Sequence, residues 1–262
     1  MGQELLAARH FALACKFGVG KTQLAHRGFL IGSRSTTYIL TGPGDLFRPS
    51  LANVIEGFTE AMSLERYALY VFDYGAPVGL RIAMRNPYRV SAIISQNGNA
   101  YLDGFSDQWG PWEAYWREPS AENREACRES LSPDTIRNWQ YGTGAEPGTL
   151  SPDGYELDIA YMARPGAEEI QLDLILDYRS NVALYPAFQA YFRDYRPPLL
   201  AAWGRHDPAF VPAGAAAYKK DLPDAQVHLL DAGHFALETH AQEVATLIRA
   251  FLEPIAHQSR QP

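Results

Sequence analysis

Tyr67-Ala-Leu-Tyr-Val-Phe-Asp-Tyr-Gly-Ala-Pro-Val-Gly79 decides how the rest of this chain is read. Tyr67, Leu69, Tyr70, Val71 and Phe72 form a nearly unbroken apolar run, the pattern of a strand buried on both faces. Asp73 ends the run. Gly75, Ala76 and Gly79 follow, and Val78 to Met84 has helical character. An acid at the end of a buried strand, with small residues and a helix behind it, is the layout of a tight strand-to-helix turn. Such a turn lifts one side chain above the carboxyl edge of a parallel sheet. The same pattern also fits a strand-end Asp that merely caps the next helix.

Outward from this stretch the text is α/β. Leu51, Val54, Ile55, Phe58 and Met62 recur at helical spacing behind a candidate N-cap, Ser50. Val90 to Ser95 reads as the next strand. Strand, helix and strand with short links make a βαβ unit, so the sheet should be parallel with right-handed crossovers. Pro197 to Gly204 and Asp224 to Leu230 are two more strands, separated by a helix over Ala213 to Asp221. A closing helix runs from Thr239 to Phe251. Between the two blocks, residues 97–196 carry Trp109, Trp112, Trp116 and Trp139, many tyrosines and no strand pattern. Glu122 to Leu131 and Ile170 to Ala183 look helical. This middle third is expected to be a helical cap, with residues 1–96 and 197–262 forming the core. Its aromatic residues either line an apolar ligand pocket or fill the cap's own interior.

Two further positions complete a constellation. Asp207 follows the strand ending at Gly204, in Gly204-Arg-His-Asp-Pro208, and His234 follows the last strand in Gly233-His-Phe235. Nucleophile 73, acid 207 and base 234 then stand in the order acid-at-elbow, acid, His, each just past a strand end, where open parallel sheets place their sites. Asp207 could instead be structural, capping the helix near Pro208. If the constellation assembles, a carboxylate nucleophile is ionised at neutral pH and attacks carbon without a base. It forms an ester with the enzyme. His234 would activate water against that ester while Asp207 fixes the imidazole tautomer.

Asp73-Tyr74-Gly75-Ala76, with Gly204-x-x-Asp207-Pro208 and Gly233-His234-Phe235, resembles the α/β-hydrolase family in its aspartate-nucleophile branch, the epoxide hydrolases and haloalkane dehalogenases. The resemblance covers about Phe47 to Pro254. It implies a mostly parallel sheet flanked by helices with a helical cap insertion. It also implies hydrolysis of a small apolar epoxide or alkyl halide. In that family a halide is held by indole N–H groups and an epoxide oxygen by a pair of cap tyrosines. Tyr74 replaces the Trp that usually follows a dehalogenase nucleophile, which leans the reading towards epoxides. Tyr115, Tyr141, Tyr161, Tyr178 and Tyr185 are the candidate phenols, and Trp109, Trp112, Trp139, Tyr141 and Tyr178 the candidate pocket residues. The family's front segment, His-Gly-x-Pro, has only His26-Arg-Gly28-Phe29 as a counterpart. Gly28, Phe29 and Tyr74 are therefore the candidates for the oxyanion or leaving-group hole. The room before Tyr67 holds about two strands where four are usual in that family, so incomplete N-terminal strands with open edges are expected. The alternative reading is an impaired or inactive hydrolase-fold protein with a binding role.

The front of the chain carries little else. Glu4 to Cys15 reads as a helix and Thr36 to Thr41 as a strand. Gly18-Val-Gly-Lys-Thr22 ends like a phosphate-binding loop, but Cys15 stands where that motif needs Gly and no strongly apolar strand precedes it, so no nucleotide site is expected. With 262 residues, 47% hydrophobic, the chain suits one α/β domain with an insertion. A net charge of −7 argues against nucleic acid or an anionic membrane as partner. The expected partners are a small apolar organic substrate and water. Two cysteines at no metal or redox spacing, and no spanning apolar run, point to a cytoplasmic protein without metal or cofactor.

Overall fold

The computed structural model describes residues 12–17, 30–31 and 51–258. Six parallel strands form one sheet among these residues, in the order β2-β1-β3-β4-β5-β6. They are β1 (Ala12–Phe17), β2 (Leu30–Ile31), β3 (Tyr67–Asp73), β4 (Val90–Gln96), β5 (Leu199–Gly204) and β6 (Gln226–Leu230). α1 (Leu51–Ala61) and α2 (Gly75–Arg85) flank β3, and α9 (Pro212–Ala217) and α10 (Ala236–Gln258) flank β5 and β6. Every residue of β4 and β5 is buried, and β3 is buried up to Asp73, as the continuous apolar runs require when helices cover both faces. β6 is exposed over most of its length, which marks it as the sheet edge.

The elbow forms because small residues let α2 lie close on β3. A Cβ added at Gly79 would sit 2.5 Å from Val71 Cγ1, so the helix reaches this depth only with hydrogen there. Asp73 adopts φ 48°, the left-handed region, at a cost on the order of 1 kcal/mol for a residue with a side chain. Tyr74, not Asp73, is the N-cap of α2, and no side chain caps that helix. The capping reading of Asp73 therefore falls.

Between β4 and β5 the described chain is helical: α3 (Gly110–Arg117), α4 (Ala121–Ala126), a π-helical turn over Thr135–Tyr141, α5 (Pro152–Met162), α6 (Ala167–Asp177), α7 (Arg179–Val182) and α8 (Tyr185–Tyr195). The two longer helices read from the sequence are each broken. The first stops at Ala126 and resumes as a 3-10 turn, Arg128–Leu131; the second is divided at Tyr178. In both cases side chains turn inwards at the break, Cys127 and Tyr178 being buried.

The front of the chain corrects one expectation. Ala12–Phe17 is a strand, in register with Ala68–Asp73 of β3, and not the end of a helix. Pairing with a buried neighbour outweighs the local helical pattern of Ala12 to Cys15. A strand therefore does precede Gly18-Val-Gly-Lys-Thr22. Cys15 lies inside it, opposite Val71, where the first glycine of a phosphate loop would have to be. The Gly-Lys-Thr segment itself, the expected strand at Thr36 to Thr41 and the candidate cap Ser50 lie outside the described residues.

Candidate active site

Four adjacent strands deliver four side chains to one edge. Asp73 ends β3, Asn97 follows β4, Asp207 follows β5 and His234 follows β6. Parallel pairing places those ends side by side. Asp73 also lies in register with Phe17, the last residue of β1. The sheet order turns back at that pair, where open sheets form their crevice.

Asp207, Asp73 and His234 are brought together as the sequence order implied. His234 Nδ1 lies 2.8 Å from Asp207 Oδ2, and His234 Nε2 lies 3.8 Å from Asp73 Oδ2. The side chain of Asp207 is fully buried, that of His234 is 9% exposed and that of Asp73 is 19% exposed. The carboxylate open to substrate is thus the one at the elbow. The helix-capping reading of Asp207 falls, since the N-cap of α9 is Val211 and no side chain bonds there. Asp207 Oδ1 accepts the backbone N–H groups of Ala209 (2.8 Å) and Phe210 (3.0 Å), building the turn at Pro208, while Oδ2 faces the imidazole.

His234 packs against Phe72, Phe235 and Phe210, with ring centroids 4.7, 4.9 and 6.1 Å away. Burial among these rings pulls its pKa down. The carboxylates of Asp207 and Asp73 pull harder in the other direction and raise it to about 10. The loop that carries it is held from the cap. Gly233 lies so close to the cap turn that an added Cβ would fall 1.9 Å from the carbonyl oxygen of Thr143. Tyr141 stacks on Phe235 at 4.0 Å and donates to Asp158 Oδ2 at 2.8 Å.

The cap aromatics separate into distinct groups. Trp109, Trp112, Trp116, Tyr178, Phe105 and Tyr185 form one packed cluster with Tyr74 of the elbow; the Tyr74 and Tyr178 rings are 5.6 Å apart. Tyr141 packs on the His234 side instead. Trp139 is half-buried and joins neither ring cluster among the described residues. The indole N–H groups of Trp109, Trp116 and Trp203 donate to the backbone carbonyls of Ala209 (2.8 Å), Ile175 (2.6 Å) and Phe210 (2.7 Å).

The tyrosines sort in the same way. Arg124 donates to the Tyr115 hydroxyl, and Tyr161 lies under the Arg164 guanidinium. The Tyr178 and Tyr185 hydroxyls lie 3.3 Å apart, and Asn99 Nδ2 approaches Tyr185 at 3.4 Å. Burial, reinforced by the charge of Asp73, pushes the phenols of Tyr74 and Tyr178 well up, so both stay protonated donors. Gly28 and Phe29 lie outside the described residues.

The sequence reading passed over Gln96 and Asn97. Their signal is a polar Gln-Asn-Gly-Asn run that begins on the last residue of a fully buried strand, at the boundary of the cap. Among the described residues no cluster of His, Cys, Asp and Glu could hold a metal ion.

A sequence profile described as alpha/beta hydrolase fold matches residues 25–241. This chain belongs to the alpha/beta hydrolase fold family. A curated relative, "Uncharacterized hydrolase YNR064C" of Saccharomyces cerevisiae, is 42% identical over 212 residues, covering 78% of this chain and 72% of that protein. A 2-hydroxy-6-oxononadienedioate/2-hydroxy-6-oxononatrienedioate hydrolase of Pseudomonas putida is 22% identical over 212 residues, covering 77% and 68%. Among solved structures, a putative epoxide hydrolase from Pseudomonas aeruginosa superimposes with a TM-score of 0.61 over 79% of this chain and 71% of that one, at 18% identity. At that identity the likeness concerns the hydrolase fold alone. The family membership agrees with the parallel sheet, the cap helices between β4 and β5 and the elbow after β3.

Proposed function

We propose that this hydrolase-fold protein opens small apolar epoxides through an ester on Asp73. The observation that carries the reading is the elbow itself: a carboxylate held at φ 48° at the end of β3, 3.8 Å from His234 Nε2. A carboxylate there attacks saturated carbon by displacement and is a poor starting point for ester hydrolysis through an acyl-serine. The preference for epoxide over halide rests on the donors. The cap indoles of Trp109 and Trp116 are bonded to backbone carbonyls, whereas Tyr178, its hydroxyl 3.3 Å from that of Tyr185, lies beside Tyr74 and feels the Asp73 charge.

In the first step Asp73 Oδ attacks an epoxide carbon, the C–O ring bond breaks and the alkoxide takes a proton from the Tyr178–Tyr185 pair. In the second, His234 Nε2 removes a proton from water, and the hydroxide adds to the ester carbonyl carbon. The tetrahedral oxyanion is met by backbone N–H, for which Tyr74 at the start of α2 and, on the family resemblance, Gly28 and Phe29 are the candidates. Collapse breaks the bond between the acyl carbon and the alkyl oxygen; that oxygen takes the proton from the His234 imidazolium and the diol leaves, while the proton of the newly formed Asp73 carboxyl returns to the tyrosinate and restores the carboxylate. Asp207 holds the imidazolium that forms. The cap and its aromatic cluster account for an apolar substrate, and water supplies the only other reactant.

The test is intact-protein and peptide mass spectrometry after incubation with styrene oxide and, separately, 1-bromobutane. An adduct on the peptide carrying Asp73 is expected with the epoxide, and His234→Gln should accumulate it because the second step is blocked. A folded His234→Gln protein that carries no adduct from either reagent overturns the aspartate-nucleophile reading. An adduct from the bromide alone overturns the epoxide preference.

A further inference from the structure

β4 ends in a second tight turn beside the elbow. Asn97 adopts φ 47°, nearly the value of Asp73 on the neighbouring strand. Both side chains therefore rise at the same edge. Gly98 permits the close packing of the two turns, since a Cβ there would lie 2.9 Å from Ala76 Cβ of the elbow helix. The Asn97 side chain is completely buried, and both its ends are used. Oδ1 accepts the backbone N–H of Gly204 at 3.1 Å. A backbone N–H can only donate, so this bond fixes which end of the amide points where. Nδ2 consequently donates to Asp207 Oδ2, at 2.6 Å.

That oxygen is the one His234 Nδ1 also reaches. With the two backbone donors on Oδ1, the Asp207 carboxylate is held by four N–H groups. The preceding residue acts on the other partner: Tyr70 donates to Gln96 Oε1 at 2.6 Å, and Gln96 Nε2 donates to the backbone carbonyl of His234 at 3.0 Å. The end of β4 thus grips both members of the acid–base pair, one by its carboxylate and one by its main chain.

We propose that Asn97 is a positioning residue for the acid–base pair, acting through the Asp207 oxygen that it shares with His234. Its amide N–H competes with the imidazole for the electron density of Asp207 Oδ2. It thereby limits how strongly Asp207 holds a proton on His234, and it keeps the carboxylate from rotating away. The kinetic consequence, slower breakdown of the Asp73 ester, rests on the function proposed above; the effect on the imidazole does not.

Asn97→Gly is the informative variant, because glycine accepts the positive φ and only the amide is lost. Two readouts are taken on the folded protein. In the free protein, NMR titration of the His234 imidazole should move upwards by roughly half a unit to one unit, since Asp207 then interacts with the imidazolium alone. In single turnover with styrene oxide, Asp73 ester formation should keep its rate. Breakdown of the ester should slow roughly tenfold to a hundredfold, with the acid limb of its pH profile moved to higher pH. An imidazole titration that stays in place or moves down overturns the proposal, and so does ester breakdown at the wild-type rate. An upward titration with no ester in any variant upholds the positioning role and rejects the aspartate nucleophile.

Discussion

At the scale of single residues, His234 links chemistry to pH. Two carboxylates raise its pKa from 6.5 to about 10 against the opposing pull of burial. A base raised on folding stabilises the folded state fully below its unfolded value and loses that contribution as pH rises through the folded value. Thermal stability should therefore decline between pH 6.5 and about 10, as scanning calorimetry across that range can show. Asp73→Asn removes one of the two carboxylates, so NMR should find the His234 pKa lower than in the wild type, and the decline should still start near pH 6.5 but end at lower pH. On the proposed mechanism the same logic would apply during turnover: an ester on Asp73 removes its charge, and His234 would become easier to deprotonate when water is activated. The three residues were legible from strand-end positions alone. Asn97 was not, because its role lies in a bond to a residue on another strand.

At the scale of elements, packing depth is decided by hydrogens where other residues carry side chains. Gly79→Ala forces a methyl to 2.5 Å from Val71 Cγ1, a branched side chain buried in β3 with no room to retreat. The expected loss is about 1–3 kcal/mol by urea denaturation, with α2 and the elbow displaced. Gly233→Ala meets the Thr143 carbonyl oxygen instead and pushes apart the cap turn and the His234 loop. Here catalytic turnover should fall more than stability, measured by comparing kcat with the urea midpoint. Helix breaks at Cys127 and Tyr178 and the strand at Ala12–Phe17 escaped the sequence reading for a common reason. Periodicity over ten residues reports local exposure, whereas these features are set by what the segment packs against.

At the scale of the whole molecule, the cap is tied to the hydrolase core by polar bonds as well as by rings. Arg81 of α2 is buried and donates to Asn181 Oδ1 at 2.6 Å and to the Pro77 carbonyl at 3.1 Å. Burial lowers its pKa to about 10, a pull that the Asp177 carboxylate partly counters. Ser106 and Trp109 bond to the carbonyls of Pro208 and Ala209, the turn that Asp207 builds, and Gln189 bonds to Ala100. Arg81→Met should cost about 2 kcal/mol, since a buried acceptor loses a charged donor. Limited proteolysis should then cut earlier within residues 178–184, the segment that Arg81 holds. The turn that holds Asp207 is thus fixed by core and cap together.

The convergence of Asp73, Asp207 and His234 at strand ends, the buried strands from Tyr67 onwards, the helical insertion and the fold class followed from sequence alone. Apolar runs, turn residues and strand-end polar groups are local signals, and α/β architecture leaves few ways to combine them. The tertiary structure decided the rest: that Ala12–Phe17 pairs with β3, that Tyr178 and Tyr185 meet while Tyr141 goes to Phe235, and that Asn97 reaches Asp207. Each of these is a contact between residues distant in the chain. Its partner depends on register and on which way a side chain leaves its strand or helix, and a one-residue shift in a strand would send it to the opposite face.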